Sequence, residues 1–258
     1  MKFVDQLDNE LILSAYPKRI ISLVPSLTEL LFELGLDKEV VGVTDYCIFP
    51  ADNVSDRPKI GGPKQFNFPL IDFLKPDLLI GNREENYQSG ITRLQEKYPV
   101  WMSDIVTLED MLKMIREIGA ITGCSIKADE ISEKISHSIS TLPHFKPLRA
   151  AYLIWNDPLM VAAGDTFINE MMRKCGFENI FACLSRYPVI DPGELARAEI
   201  ILLSTEPYPF SEKDIDHFQH KHPGSMVKIV DAAKFSWYGS HILHSADYFV
   251  QLRESIDN

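Results

Sequence analysis

Aromatic side chains in one loop are the residues of this sequence best suited to binding a small molecule. Trp237 and Tyr238 are adjacent in the segment KFSWYGSH, between a predicted strand and a predicted helix, where loops are usually polar. Large rings at such a place either pack on the protein's own core or form an apolar platform with a polar tip for a flat macrocycle. The residues alone leave both interpretations open.

Two further aromatic residues each end a predicted strand. Tyr46 closes VVGVTDY, and its ring can stack or pack, or its phenolate can bind a ferric centre, because hard Fe(III) favours anionic oxygen. Trp155 closes RAAYLIW and is followed by polar turn residues. This position suits the wall of a cleft as well as it suits plain hydrophobic burial.

A glycine-rich segment, GGPKQF, adds a backbone element to these rings. Gly61 and Gly62 permit close approach of the backbone, Pro63 predicts a rigid turn, and Lys64 supplies one cation. The segment is not a P-loop, since no Lys-Ser/Thr ending accompanies it. A bare turn is the alternative to a ligand-binding loop.

Histidines occur at two places with spacing that can bind a metal. His217, His220 and His222 form H-x-x-H-x-H, and His241 and His244 lie three residues apart on a predicted helix. Such sets bind zinc or copper, but no carboxylate or thiol completes them, so a solvated surface is favoured. His241 follows the WYGS segment closely and is a candidate haem ligand. The signatures G-x-S-x-G, H-E-x-x-H and G-x-G-x-x-G do not occur, so nothing supports catalysis.

Composition narrows the classes of partner. The 258 residues carry a formal net charge of −11, which argues against nucleic acid or an anionic membrane surface as the main partner.

The cysteines and the first residues leave two questions open. The four cysteines are scattered along the sequence, and the sequence does not decide whether Cys175 and Cys183 form a disulfide. The first residues, MKFVDQLDNEL, lack the basic start and apolar run of an export signal, so a cytoplasmic location stays open.

Alternating strands and helices predict an α/β fold. RIISLV is an apolar strand, and SLTELLFELGL is a helix with leucines on one side, a capping box from Ser26 and Glu29, and Gly35 at its end. Further apolar strands alternate with helices, which is typical of parallel sheets covered on both faces. A second helix, DTFINEMMRKCGF, is predicted to begin with Asp165 as its cap.

A long helical stretch divides the α/β pattern. Residues 107–142 show helical periodicity interrupted at Gly123, and strands resume afterwards. We therefore predict three parts: an N-terminal lobe at 1–122, a spanning helix at 123–147 and a C-terminal lobe at 148–258. Because parallel sheets bind ligands at the carboxyl ends of their strands, two facing lobes would frame a cleft.

Several separated blocks resemble the class III substrate-binding proteins of ABC importers, the helical-backbone metal receptor group that includes cobalamin, ferric-siderophore and haem receptors. The blocks, in chain order, are RIISLVPSLTELLFELGL, VVGVTDYCIFP, IGGPKQFNFPLIDFLKPDLLIG, VWMSDIVTLEDMLKMIREIGAITG, GDTFINEMMRKCGFENIF and FSWYGSHIL. The resemblance implies two Rossmann-like lobes with a ligand between them. PKQF departs from the cobalamin protein, which has a Trp-containing segment there.

The resemblance also implies specific roles. It implies ligand contacts at Pro25, Ser26, Tyr46, Gly61, Gly62, Lys64, Gln65, Phe66, Trp155, Trp237 and Tyr238. It implies that Glu84, Glu85 and Glu206 dock onto basic residues of a membrane permease. We expect a monomeric periplasmic binding protein, without an intrinsic cofactor or metal, that takes up a metal chelate. The alternatives are a cytoplasmic cofactor-handling enzyme or chaperone and an intracellular store or sensor without a permease.

Overall fold

The chain forms two compact units, each assembled from separate stretches of sequence. The structure, a computed structural model, describes residues 1–257. Unit 1 comprises Met1–Ile105, Glu109–Ser136 and Tyr238–His241, and unit 2 comprises Val106–Leu108, His137–Trp237 and Ile242 onwards. The three-part division predicted from the sequence cuts the chain differently and stays a prediction.

Unit 1 contains one parallel sheet, short hairpin strands and six helices. Its strands are β1 (Lys2–Val4), β2 (Glu10–Ile12), β3 (Ile20–Ser22), β4 (Val40–Val43), β5 (Gly61–Gly62), β6 (Gln65–Phe66), β7 (Leu78–Asn82) and β8 (Val100–Ser103). Its helices are α1 (Pro25–Glu33), α2 (Ala51–Val54), α3 (Phe68–Leu74), α4 (Gln88–Gln95), α5 (Leu108–Thr122) and α6 (Ser125–Ser140), the last two crossing a unit boundary at one end.

The main sheet of unit 1 has the order β4-β3-β7-β8, and all of its pairings are parallel. Strands β3, β7 and β8 are buried along their whole length, as expected for a parallel sheet covered on both faces. Their carboxyl ends therefore meet at one edge. The hairpin pairs β1 with β2 and β5 with β6 are antiparallel and separate from this sheet.

Helix α1 forms where its leucine stripe predicts it, but it begins differently. Val24 is the N-cap residue and Pro25 occupies the first turn, so the predicted capping box of Ser26 and Glu29 is wrong. Proline suits the first helical turn because its missing N–H would have no helical partner there. Gly35, with φ +84°, ends the helix as predicted.

Helices α5 and α6 are the long helical stretch expected from the sequence. Gly123 separates them with φ +79°, a left-handed conformation that favours glycine. Helix α6 places Ile131, Ile135 and Ile139 on its buried face at the predicted spacing of four. The boundary between the two units falls inside this helix, after Ser136.

Unit 2 repeats the alternation of strands and helices. Its strands are β9 (Leu148–Trp155), β10 (Met160–Val161), β11 (Phe177–Asn179), β12 (Ile200–Ser204) and β13 (Met226–Val230). Its helices are α7 (Phe167–Lys174), α8 (Glu212–Lys221), α9 (Ala233–Ser236) and α10 (Ser245–Asp257), with a short 3₁₀ turn at Pro192–Arg197. A second 3₁₀ turn, Ser240–His244, crosses the boundary between the units after His241.

The sheet of unit 2 is mostly parallel. Strand β9 pairs in parallel with β12 and β11, β12 pairs in parallel with β13, and β10 is an antiparallel edge strand. Helix α7 is capped by Thr166, whose hydroxyl accepts a hydrogen bond from the Asn169 N–H, and the predicted cap Asp165 is therefore wrong. The two parallel sheets confirm the predicted α/β class.

A buried arginine on the last helix of unit 2 links that helix to two other segments. Arg253 on α10 is 1% exposed, and its guanidinium donates hydrogen bonds to the carbonyl oxygens of Lys146 (2.7 Å), Cys175 (3.0 Å) and Gly176 (3.1 Å). The guanidinium also lies over the ring of Phe177, 5.3 Å from its centroid. One side chain thus joins α10 to the end of α7 and to the segment after α6.

The helices of residues 1–257 are short or carry many charged residues. None of the helices in that range combines the length and the apolar character needed to cross a bilayer.

Candidate functional site

The edge where the parallel strands of unit 1 end is shaped by buried polar side chains. Asn82, the last residue of β7, donates through its side-chain amide to the Ser103 hydroxyl at 3.0 Å. Its side-chain oxygen accepts hydrogen bonds from the N–H groups of Glu84 (2.8 Å) and Glu85 (3.2 Å). The turn that carries both glutamates is therefore held against the sheet.

Asn86 fixes this turn to two neighbouring segments. Its buried side chain accepts a hydrogen bond from the Asn82 N–H at 2.9 Å and donates to the Leu23 carbonyl at 3.1 Å and the Pro63 carbonyl at 3.4 Å. A Cβ atom on Gly81 would lie too close to the Asn86 side-chain oxygen, so any larger residue there would displace the Asn86 side chain. Asn86 was not among the predicted site residues.

The glycine-rich segment is a small β-hairpin rather than a bare turn. Gly61 has φ +89° and pairs with Phe66, whose ring is buried against Tyr87 at a centroid distance of 4.9 Å. The Lys64 ammonium donates to the carbonyl oxygen of Glu84 at 3.0 Å, and the side chain stays exposed, as does that of Gln65. The hairpin is thus fixed at both its base and its turn.

Tyr46 presents its ring beside this hairpin. The side chain is 65% exposed, and a Cβ atom on Gly62 would lie only 3.0 Å from its Cε2 atom, so the ring packs closely on the glycine backbone. The thiol of the next residue, Cys47, is buried and lies 3.0 Å from the Thr28 hydroxyl and 3.1 Å from the Thr44 hydroxyl. Burial raises the pKa of the Cys47 thiol, which keeps this network neutral.

The segment Tyr238–His241, late in the sequence, belongs to unit 1. The Tyr238 hydroxyl donates to Glu85 Oε1 at 2.8 Å, and the His241 Nδ1 atom lies 3.1 Å from the carboxylate of Glu29. Tyr238 is 4% exposed and lies beside the buried Ser26. Burial, together with the charge of Glu85, raises the pKa of Tyr238 well above its usual value, so its phenol stays protonated at neutral pH.

This segment gives Glu29 and Glu85 structural partners that local rules did not predict. Both carboxylates contact side chains more than 150 positions away in sequence.

Two other predicted contacts lie near this segment in the sequence or at the start of α1. Trp237, half-buried at the end of α9, belongs to unit 2, whereas its neighbour Tyr238 belongs to unit 1. Pro25 is half-buried at the start of α1.

In unit 2, Trp155 lies at the carboxyl end of β9 and is 38% exposed. Its indole Nε1–H donates to the Asp157 carbonyl at 2.9 Å, and its ring meets the ring of Tyr208 at 5.7 Å in an edge-to-face arrangement. Met160 on β10 is its cross-strand partner, and Met160 in turn bridges to the exposed Val189. Met160 and Val189 were not among the predicted contacts, although cross-strand neighbours share a face of the sheet.

Glu206 is exposed and follows β12 of unit 2, whereas Glu84 and Glu85 are half-buried. The assignment of these three residues to docking, like the assignment of the ligand contacts, stays a prediction.

The histidines and cysteines form no metal-binding cluster within residues 1–257. No group of three or more His, Cys, Asp or Glu side chains in that range is placed to hold a metal ion. His217 and His220 are exposed on α8, and burial beside Lys221 lowers the pKa of His222. All four cysteines are free thiols, with Cys175 buried and Cys183 exposed.

The structure thus brings together Tyr46, the Gly61–Phe66 hairpin, Ser26 and Tyr238 in unit 1, and places Trp155 at the corresponding edge of the unit 2 sheet. Tyr46, Lys64, Gln65 and Trp155 are exposed to solvent, whereas Ser26, Phe66 and Tyr238 are buried.

Comparison with known proteins identifies the family. A model of the periplasmic binding protein family matches residues 20–224. The vitamin B12-binding protein of Pectobacterium atrosepticum is 26% identical over 178 residues, covering 65% of this chain and 63% of that protein. The match therefore spans less than two thirds of that relative's length.

Solved structures share the fold across nearly the whole chain. The periplasmic haem-binding protein of Roseiflexus sp. RS-1 has a TM-score of 0.77 at 18% identity, covering 92% of this chain and 98% of that one. An Fe³⁺-hydroxamate transport protein of Saccharomonospora viridis has a TM-score of 0.74 at 15% identity, covering 100% and 99%. The resemblance predicted from the sequence blocks is confirmed. Since the family model matches well over half of its residues, this chain belongs to the periplasmic binding protein family.

Proposed function

We propose that this chain captures a metal-centred compound of the cobalamin, ferric-siderophore or haem type and delivers it to the permease of an ABC importer. It acts in the periplasm as a monomer and catalyses no reaction. Family membership supports the role in binding, and the relatives named above are described by ligands of these three kinds.

The observation that carries the proposal is the exposed ring of Tyr46 at the strand-end edge of unit 1. This aromatic side chain is 65% exposed, and one edge of its ring packs on the backbone of the Gly61–Phe66 hairpin. Preorganised apolar surface with a few polar groups nearby is typical of small-molecule sites. Lys64 adds a cation for the anionic groups that cobalamin and many chelates carry.

The buried predicted contacts have a supporting role in this proposal. Phe66 and Tyr238 hold the hairpin and the Glu85 turn in place, and buried Ser26 lies beside Tyr238. Trp155, exposed at the end of β9, is the contact proposed for unit 2.

Ligand binding is tested with a panel of cyanocobalamin, haemin and a ferric hydroxamate. At 100-fold excess over Kd, a ligand specific for the folded state stabilises it by about 2.7 kcal/mol, which for a chain of this size raises Tm by roughly 5–10 °C. We expect such a rise for at least one compound, with a matching change in its visible spectrum. No response to any of the three would contradict the proposal.

Tyr46 variants then test the site itself. Tyr46→Ala should weaken binding about tenfold or more because a stacking ring is lost, whereas Tyr46→Phe should preserve stacking and remove only phenolate coordination. Phe73→Ala is the matched control, since Phe73 is an exposed aromatic residue on α3. Equal binding by the Tyr46→Ala and Phe73→Ala variants would exclude Tyr46 as a contact.

Permease docking is tested separately by charge reversal at Glu84 and Glu206. Glu85 is left unchanged because it accepts the hydrogen bond of buried Tyr238. We expect the double Lys variant to bind ABC importer permeases of the source organism, held in nanodiscs, with an association rate about tenfold lower at low salt. The difference should shrink as salt is added. A double variant, Glu130→Lys with Glu133→Lys, at exposed positions of α6, makes the same change in net charge, and an equal decrease for that variant would contradict specific docking.

A further inference from the structure

Trp155 is held by two contacts from its own unit. Its Nε1–H donates to the carbonyl oxygen of Asp157 at 2.9 Å, and its ring lies against Tyr208 with a centroid distance of 5.7 Å and an interplanar angle of 71°. The hydrogen bond restrains the indole at its nitrogen. The edge-to-face contact restrains the remainder of the ring, in a geometry that aromatic pairs favour.

Tyr208 is itself fixed to the core of unit 2. Its N–H donates to the Ile154 carbonyl at 3.3 Å, next to Trp155 in the chain, and its ring lies 4.6 Å from that of Phe210. Phe210 is buried in the core and contacts Phe218 of α8 at 6.1 Å. A continuous row of rings therefore runs from the core to the partly exposed Trp155.

We infer that Tyr208 is a positioning residue that sets the orientation of Trp155 for ligand binding. The inference rests on the proposed function in one respect, because it takes Trp155 as a ligand contact. Tyr208 acts through its ring, since the contact with Trp155 is between ring edge and ring face. The Tyr208→Phe variant should therefore keep the orientation of Trp155, whereas the Tyr208→Ala variant should lose it.

The first experiment needs no ligand. Incorporation of 5-fluorotryptophan gives one ¹⁹F signal for each of Trp101, Trp155 and Trp237. The signal that disappears in the Trp155→Phe variant is that of Trp155. We expect Tyr208→Ala to shift and broaden the Trp155 signal while the other two stay in place, and Tyr208→Phe to leave all three unchanged. An unaltered Trp155 signal in the Tyr208→Ala protein overturns the inference, and so does an equal change at buried Trp101, which would mean general loosening.

The second experiment is a double-mutant cycle on whichever of cyanocobalamin, haemin or the ferric hydroxamate binds. Tyr208→Ala should raise Kd about three- to tenfold, as expected for one aromatic pair. In a Trp155→Ala background the same change should alter Kd less than about twofold, because a positioning residue has no effect once its target is gone. Equal effects in both backgrounds overturn the inference.

The two experiments separate this inference from the proposed function. If none of the three compounds binds, the proposed function fails, while the ¹⁹F signals still show whether Tyr208 orients Trp155. If a compound binds and the signals do not respond to Tyr208→Ala, the proposed function stands and the inference is wrong.

Discussion

The Arg253→Ala variant should unfold with a free energy about 3–5 kcal/mol lower than that of the parent protein. The substitution removes the guanidinium donors to the carbonyl oxygens of Lys146, Cys175 and Gly176, of which, within residues 1–257, only that of Gly176 keeps another donor, the Leu148 N–H. It also empties the space beside Phe177 that the guanidinium fills. Urea unfolding should show a lower midpoint at an unchanged m value.

Two variants make this measurement specific. Arg253→Lys keeps the charge but not the planar fork, so it should recover only part of the loss. Arg173→Ala removes an exposed arginine of α7 that pairs with Glu170, and it should change stability by no more than about 0.5 kcal/mol. A loss below about 1 kcal/mol for Arg253→Ala would show that water replaces the arginine at the carbonyl groups.

The Gly61→Ala variant should lose about 2–3 kcal/mol of stability and most of its ligand affinity. Gly61 has φ +89°, and a Cβ atom there would overlap the backbone carbonyl oxygen of Gln65 across the hairpin. The hairpin must open to accept the methyl group, and the hydrogen bond from the Asp45 N–H to the Gly61 carbonyl would be disturbed. Thermal unfolding and titration with the bound member of the ligand panel provide the two measurements.

Other glycines provide graded controls for this prediction. Gly224→Ala should be neutral or slightly stabilising, because Gly224 has no neighbour within 4 Å of the added Cβ and no positive φ. Gly62→Ala meets only the Tyr46 ring at 3.0 Å, so it should reduce ligand affinity more than stability. If Gly61→Ala and Gly224→Ala behave alike, the positive φ of Gly61 and its close approach to the Gln65 carbonyl do not constrain the hairpin.

Local patterns in the sequence predicted the elements well because their causes are local. The leucines of α1, the apolar runs of β3 and β7 and the break at Gly123 each follow from periodicity or from backbone freedom within a few residues. Where two local rules competed, the prediction went wrong. Pro25 took the first turn of α1 and left Ser26 and Glu29 without their capping roles.

The site was less predictable because its geometry comes from residues distant in sequence. Nothing near Asn86 signals that its side chain joins Leu23 to Pro63, and nothing near Glu29 signals its contact with His241. Arg253 also looked like any charged residue on a closing helix, although it is buried. Such contacts depend on which chain segments the fold brings together, which periodicity does not specify.

The segment Tyr238–His241 has a consequence for the order in which the protein matures. The sequence of unit 1 is synthesised up to Ser136, and its final four residues follow roughly 100 positions later, after most of unit 2. At translation rates of about 5–20 residues per second this is a delay of roughly 5–20 s. During that interval Glu85 and Glu29 lack Tyr238 and His241, so the nascent protein completes the strand-end edge of unit 1 only after most of unit 2 has been synthesised.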